Sequence, residues 1–237
     1  MFQTIFYQPI VNLIIFLYNL VPFNDLGVAI ILLVLIIKLV FLPLSKKSIS
    51  SRKALADLQP KLEEIKIKYK DDKEAMSRET LALYKENKVN PFSSCLPLLI
   101  QFPFLIAIFR IFRDGVSEHL NLLYPFVSRP EQINSLSLGF IDLNSPNVYL
   151  AVLAGLAQFI QAKMMMAKQP EVRGEGAKDE NMMAIMSKQM VYFTPIITIF
   201  IGIKLPGGLT FYWLVLTIFT ILEQWFILKP TKRKNVS

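Results

Sequence analysis

The sequence predicts an all-α membrane protein with five transmembrane helices. Hydrophobic residues make up 53% of the 237 residues, 18 of them Phe, and the mean hydropathy is +0.43, which is typical of a multi-pass membrane protein. The stretch Leu26–Leu44 has Lys38 as its only charge. As a helix it spans about 28 Å, close to the hydrocarbon thickness of a bilayer. Similar apolar stretches recur along the chain and alternate with polar, basic segments.

Residues 1–23 precede this stretch and carry no charged side chain. Gln8, Asn12 and Asn19 fall within about 40° of one another at 100° per residue, which makes a thin polar stripe on an apolar helix. The segment lacks the basic start and the small-residue cleavage site of a signal peptide. A helix lying in the interface and an additional span are the two interpretations left open. We favour the N-terminal interfacial helix.

Residues 45–90 form the largest polar segment, with twelve Lys/Arg against eight Asp/Glu. Apolar residues recur at three- and four-residue spacing on either side of Asp71-Asp72, which predicts a cytoplasmic helical hairpin with arms Ser48–Lys70 and Lys73–Lys88. Pro60 is expected to kink the first arm or to leave a short turn. The predicted apolar faces consist of Leu55, Leu58, Leu62, Ile65 and Tyr69 on the first arm and Met76, Leu81 and Tyr84 on the second.

The rest of the chain divides into apolar spans and polar connections. Seven of the nine methionines lie between residues 164 and 190. Flexible thioethers suit surfaces that bind many apolar segments, although methionine also fills gaps in cores. We therefore expect a landing place for hydrophobic helices in this cytoplasmic loop. The predicted segments are 24–44 (first span), 91–113 (second span), 114–147 (outer loop), 148–166 (third span), 167–188 (Met-rich cytoplasmic loop), 189–203 (fourth span), 209–228 (fifth span) and 229–237 (basic cytoplasmic tail).

The distribution of Lys and Arg predicts the orientation. Twelve lie in 45–90, five in 163–188 and four after Leu228, whereas 111–147 has two and 204–208 has one. Because cytoplasmic loops carry the excess of basic residues, the N-terminus is expected outside and the C-terminus in the cytoplasm.

Lys38 is the residue on which the functional prediction depends. An ammonium in the hydrocarbon region costs about 2.5–3.5 kcal/mol on insertion scales, so an intramembrane lysine indicates a functional site, unless its long stem snorkels to the interface. Gln101, Gln158 and Gln161 also lie in predicted spans. Their plain interpretation is hydrogen bonding between helices. Near the end of the last span, Glu223 and Gln224 are explained by exposure at the interface. We expect a water-filled hydrophilic groove in which Lys38 is solvated and the glutamines line the wall.

Several classes of function are disfavoured. With only Cys95 and His119 of their types, neither an internal disulfide nor a zinc site is expected. No P-loop or Gly-rich phosphate motif is present, so we expect no cofactor and no nucleotide hydrolysis. The spans lack the histidine or the paired aspartates of an intramembrane protease, so an enzyme is not expected. Internal repeats typical of many transporters are also missing.

Three stretches resemble the YidC/Oxa/Alb family of membrane protein insertases. The longest runs from Leu58 to Phe109 and includes Asn90-Pro91, the CLP triplet at Cys95–Pro97 and the LIQFP run around Gln101. The other two are IIKLVFLPLSKKS at Ile36–Ser48 and GGLTFYW at Gly207–Trp213.

This resemblance implies five spans around a hydrophilic groove that is open to the cytoplasm and the lipid and closed outside. It also implies that a basic residue of the first core span faces the groove; here that residue is Lys38, where bacterial members mostly carry arginine. Gln158 or Gln161 and Trp213 match further groove-lining positions. The implied partners are nascent membrane proteins, the ribosome and the lipid bilayer, with the Sec translocon and signal recognition machinery as further candidates and no specific nucleic acid.

Two functions stay open at this stage. The first is an insertase or chaperone, and the second is a small-solute transporter or channel that uses the same groove. The hairpin favours the first, because an insertase must meet ribosomes or targeting factors and a transporter need not.

Overall fold

A computed structural model of the protein describes residues 2–90, 96–165 and 191–228. Four features of the sequence lie outside the described residues: Pro91 and Cys95 of the family motifs, the Met-rich loop 167–188 and the basic tail 229–237. The α-helices of the described residues are α1 (Gln8–Leu20), α2 (Leu26–Asp57), α3 (Gln59–Lys68), α4 (Lys73–Glu86), α5 (Leu96–Asp114), α6 (Val148–Met165), α7 (Val191–Gly202) and α8 (Gly207–Leu228).

Short elements connect these helices. A π-helical turn, Gln3–Tyr7, leads into α1, and 3₁₀ turns occupy Pro22–Asn24 and Val116–Leu122. The strands β1 (Leu136–Ser137) and β2 (Ile141–Asp142) form a two-stranded antiparallel hairpin. We call the end of the bundle that carries residues 115–147 the loop end, and the end that carries α3 and α4 the hairpin end.

Helix α2 is longer than the span predicted for 24–44. Its N-terminus is capped by Asp25, whose carboxylate accepts from the N–H groups of Gly27 and Val28 at 2.8 and 3.1 Å. The helix continues through Pro43 and ends at Asp57. The predicted first arm, Ser48–Lys70, is therefore not one helix: its first ten residues continue α2, because the polar residues after the apolar stretch are compatible with helix. The chain breaks instead between α2 and α3, where Pro60 lies in the first turn of α3.

Helices α3 and α4 pack against each other as a hairpin. Asp72 caps α4 by accepting from the N–H of Ala75 at 2.9 Å. Leu58, Leu62 and Leu83 form a small buried cluster between the arms. Leu81, which was predicted on the apolar face, is instead 56% exposed. That assignment was wrong because Leu83, two residues further on and therefore about 160° away around α4, is the residue that faces α3.

The main core lies among α1, α2, α5, α6 and α8. Helix α1 contributes Ile14 and Ile15, both fully buried, and packs against α2 and α5. Its polar stripe binds the backbone of the loop end: Asn12 donates to the carbonyl of Leu122 at 3.0 Å, and Asn19 donates to that of Ser128 at 2.7 Å. The stripe thus contacts protein rather than an open polar surface.

The start of α8 is fixed to the same loop. The N–H groups of Gly207 and Gly208 donate to the carbonyls of Ser145 and Leu143 at 3.1 and 2.6 Å. A Cβ on Gly207 would lie 2.7 Å from two backbone oxygens, and a Cβ on Gly208 would overlap the ring of Phe112. The two glycines are therefore required for the close approach of α8 to the loop and to α5.

Candidate functional site

Lys38 and Glu223 form an ion pair between α2 and α8. The ammonium nitrogen Nζ of Lys38 lies 3.0 Å from Oε2 of Glu223 and donates to Oγ1 of Thr220 at 2.7 Å. The two charged side chains are only 16% and 8% exposed. Thr220 and Glu223 are three residues apart and therefore share one face of α8. The ammonium is therefore held between α2 and α8, with a partner on α8 for two of its hydrogen bonds.

The interpretation of Glu223 and Gln224 as interface residues was wrong. Glu223 is nine-tenths buried, and Gln224 is 1% exposed. The expectation that Lys38 is solvated without a counter-ion is corrected at the same time. An ammonium buried in this way loses its hydration, and the carboxylate of Glu223 compensates for that loss.

A cavity of about 380 Å³ lies beside the ion pair. Lys38 and Glu223 belong to its wall, and Lys46 also lines it, eight residues further along α2. At 1.5 Å per residue the two lysines are about 12 Å apart along the helix axis. The rest of the wall is apolar and comes from α2 and α8: Leu35, Leu39, Leu42, Phe219, Leu222, Phe226 and Ile227. A bound chain segment could therefore place a polar group against a charged side chain while its apolar part stays in contact with the apolar wall.

Gln101 contacts α8 nearer the loop end. Its side-chain amide donates to the hydroxyl of Tyr212, which is fully buried. Tyr212 and Glu223 are eleven residues apart, so they lie within about 20° of each other around α8 and about 16 Å apart along it. Gln101 thus borders the same face of α8 as Glu223, at a different depth.

Trp213 lies on the same face of α8 as Thr220, because seven residues bring a helix back to within about 20°. Its side chain is half-buried, and its carbonyl accepts from the hydroxyl of Thr217 at 2.8 Å. Trp213 is about 10 Å nearer the loop end than Thr220.

The remaining two predicted glutamines lie on α6. Gln158 accepts a hydrogen bond from the hydroxyl of Thr198 on α7, which is the helix-to-helix bonding that membrane glutamines commonly provide. Gln161 lies one turn further along α6 and is half-buried. The structure thus connects Lys38 and Gln101 to α8, and Gln158 to α7.

The ion pair was missed because its partners are 185 residues apart in the chain. One sequence signal was available: Glu223 is the only acidic residue of the last span, just as Lys38 is the only charge of the stretch Leu26–Leu44. Two isolated charges of opposite sign in separate spans favour pairing, since each is expensive in hydrocarbon alone. Among the described residues, no group of three or more His, Cys, Asp or Glu side chains is placed to hold a metal ion.

These features define a mostly helical membrane protein, with β1 and β2 as the only strands among the described residues. Within the described part of the chain, the helices Leu26–Asp57 and Gly207–Leu228 are long and apolar enough to cross a bilayer, and shorter apolar helices, Val148–Met164 and Val191–Gly202, lie beside them. The chain belongs to the 60Kd inner membrane protein family, whose model matches residues 16–234.

Three similar proteins are membrane protein insertases. The membrane protein insertase YidC of Fusobacterium nucleatum is 35% identical over 206 residues, which are 87% of each chain. Membrane protein insertase YidC 1 of Listeria monocytogenes is 35% identical over 224 residues, 90% of this chain and 69% of the relative. The insertase YidC of Citrifermentans bemidjiense is 33% identical over 94% of this chain, a match that covers 36% of the longer protein.

Proposed function

We propose that this protein is a membrane protein insertase that moves hydrophobic segments of nascent proteins from the cytoplasm into the lipid bilayer. The observation that carries this proposal is the similarity to the Fusobacterium nucleatum insertase, 35% identity over 87% of both chains. The ion pair and the cavity between α2 and α8 support it, because they offer a charged contact within an otherwise apolar helix pair.

In this proposal the substrate passes along a hydrophilic groove lined by Lys38, Gln101, Gln158, Gln161 and Trp213. Three of these residues, Lys38, Gln101 and Trp213, lie on α8 or contact it, which supports a common path along this helix. The polar tail of the substrate contacts Lys38 at lower cost than it would cross dry hydrocarbon. The apolar segment leaves sideways into lipid, which is downhill and needs no nucleotide hydrolysis.

The proposed orientation places the N-terminus outside and the C-terminus in the cytoplasm of a bacterium, with five spans. The excess of Lys and Arg in 45–90 supports a cytoplasmic position for α3 and α4. There the hairpin meets nascent chains and the ribosome, and the Sec translocon and the signal recognition machinery are further proposed partners. The loop end then lies outside.

Insertion by the purified protein tests the proposal. A single-span substrate with an acidic N-terminal tail is diluted from urea onto proteoliposomes that contain the protein but no nucleotide. Protease protection of the tail then measures insertion. We expect protection well above that of empty liposomes, a strong loss with Lys38→Gln and retained insertion with Lys38→Arg.

The same vesicles separate this function from the small-solute alternative. Release of a trapped fluorescent solute without tail protection would favour a channel. Equal protection by empty liposomes would overturn insertase activity, whereas normal protection with Lys38→Gln would overturn only the role of the cation.

A further inference from the structure

The ammonium of Lys38 is already paired with a carboxylate of the same protein. Glu223 is nine-tenths buried, and its Oε2 lies 3.0 Å from Nζ of Lys38. Any acidic group of a substrate must therefore share the ammonium with Glu223 or replace it. This competition is a property of the pair, whatever the substrate.

The geometry allows Glu223 to exchange while Lys38 stays in place. Thr220 accepts from Nζ of Lys38 at 2.7 Å, and its hydroxyl donates in turn to the carbonyl of Leu216 at 2.7 Å. This second contact is anchored to the backbone of α8 and carries no net charge. It positions the ammonium independently of the carboxylate.

The carboxylate is held at one point only. Oε1 of Glu223 is buried and receives no hydrogen bond from the part of the chain that the structure describes. A carboxylate bound through a single oxygen lacks the paired contacts of a bidentate bridge and so exchanges by breaking one bond. The adjoining cavity of about 380 Å³ provides room for an incoming side chain.

We propose that Glu223 is a specificity-determining residue: a resident counter-ion that competes with acidic substrate tails for Lys38 and thereby releases them. Lys46, on the wall of the same cavity, attracts the tail, and Lys38 binds it briefly. Glu223 then reclaims the ammonium, so that the tail passes on instead of remaining bound. This inference rests on the proposed insertase function and adds the means by which a cationic groove avoids trapping anionic substrates.

Tail lifetime in the groove tests the role of Glu223. Two substrates with the same apolar segment carry tails of equal length, one with two Asp and one with two Asn, and each tail bears a photoreactive residue. Crosslinking to the protein at successive times after mixing gives the lifetime of the tail in the groove. With Glu223→Gln we expect the lifetime of the Asp tail to rise at least about tenfold, since close charge pairs are coupled by more than that factor. The Asn tail should change less than about twofold.

The matched control is Glu131→Gln, the same chemical change at an exposed position of the loop end; it should leave both lifetimes unchanged. An unchanged Asp-tail lifetime in Glu223→Gln, or an equal change for both tails, would overturn the inference and leave Glu223 a structural partner. If Glu223→Gln does not fold, Glu223→Asp supplies the measurement, with a smaller lengthening confined to the Asp tail. Failure of the unaltered protein to insert either substrate would instead overturn the proposed function.

Discussion

Replacing Lys38 by methionine, an unbranched apolar side chain one atom shorter, should destabilise the protein severely. At 3.0 Å and an effective dielectric constant of about 20, the attraction between Lys38 and Glu223 is about 5–6 kcal/mol. Without it, the carboxylate of Glu223 stays nine-tenths buried and receives no hydrogen bond from the described residues on either oxygen. A buried charge left in this way costs about 3–5 kcal/mol.

The second variant removes both charges. In Lys38→Met with Glu223→Leu no charge is left buried, and apolar side chains fill similar volumes. Replacement of a buried ion pair by apolar residues is often neutral or stabilising. We therefore expect the double variant to lie within about 1 kcal/mol of the unaltered protein, or to be more stable.

The free energy of unfolding in detergent micelles measures both variants, with the fluorescence of Trp213 and Trp225 as the signal. Lys47→Met, at an exposed lysine just after the apolar stretch of α2, is the control and should cost less than about 0.5 kcal/mol. A cost below about 1 kcal/mol for Lys38→Met, or a double variant as unstable as the single one, would show that the ion pair does not stabilise the protein in this way.

Three further predictions concern the loop end. Gly208→Ala should cost about 1–3 kcal/mol by pressing a methyl group into the ring of Phe112, and adding Phe112→Leu should recover part of the loss in thermal unfolding. Asp25→Ala should cost about 2 kcal/mol because it uncaps α2 and leaves the N–H of Leu138 without its acceptor, whereas Asp25→Asn keeps the capping oxygen but turns an amide NH2 toward that N–H, so it should recover only part of the loss. A hydrogen bond from the hydroxyl of Ser145 lowers the pKa of Asp142 below its usual 3.8. The stability that Asp142 contributes is therefore complete above about pH 4 and lost as the pH falls through its lowered pKa, so Asp142→Asn should flatten the fall in melting temperature between pH 5 and pH 2.5.

Local rules were enough to predict part of the fold. The long apolar run of α2, the acidic turn at Asp71-Asp72 and the effect of Pro60 follow from periodicity, capping and proline geometry, all of which act within a few residues. The extension of α2 to Asp57 was missed, because the change from apolar to polar residues at position 45 marks a change of surroundings and not the end of a helix.

Contacts between distant segments were beyond the reach of such rules. Gln8, Asn12 and Asn19 were correctly placed on one stripe, but the stripe binds carbonyl groups more than 100 residues away. The sequence gives the direction of a polar side chain around its helix and not the identity of the group it meets.

In the candidate site, too, the local feature could be predicted from the sequence and the contact between distant segments could not. Lys38 could be singled out from the sequence, since a lone cation in an apolar stretch is costly wherever its partner lies. Predicting its pairing with Glu223 requires knowing how far α8 is shifted along its axis relative to α2. That shift depends on the contacts of Gly207, Gly208 and Phe112 at the far end of the helices.

The backbone ties of Gly207 and Gly208 have a mechanical consequence. They hold α8 to the loop about 24 Å, or sixteen residues, from Glu223. If α8 tilts as a rigid helix about the two glycines, a tilt of only 5° displaces Glu223 by about 2 Å. The same small tilt would displace residues near Gly207 and Gly208 very little, so the ion pair is the contact that such a tilt changes most.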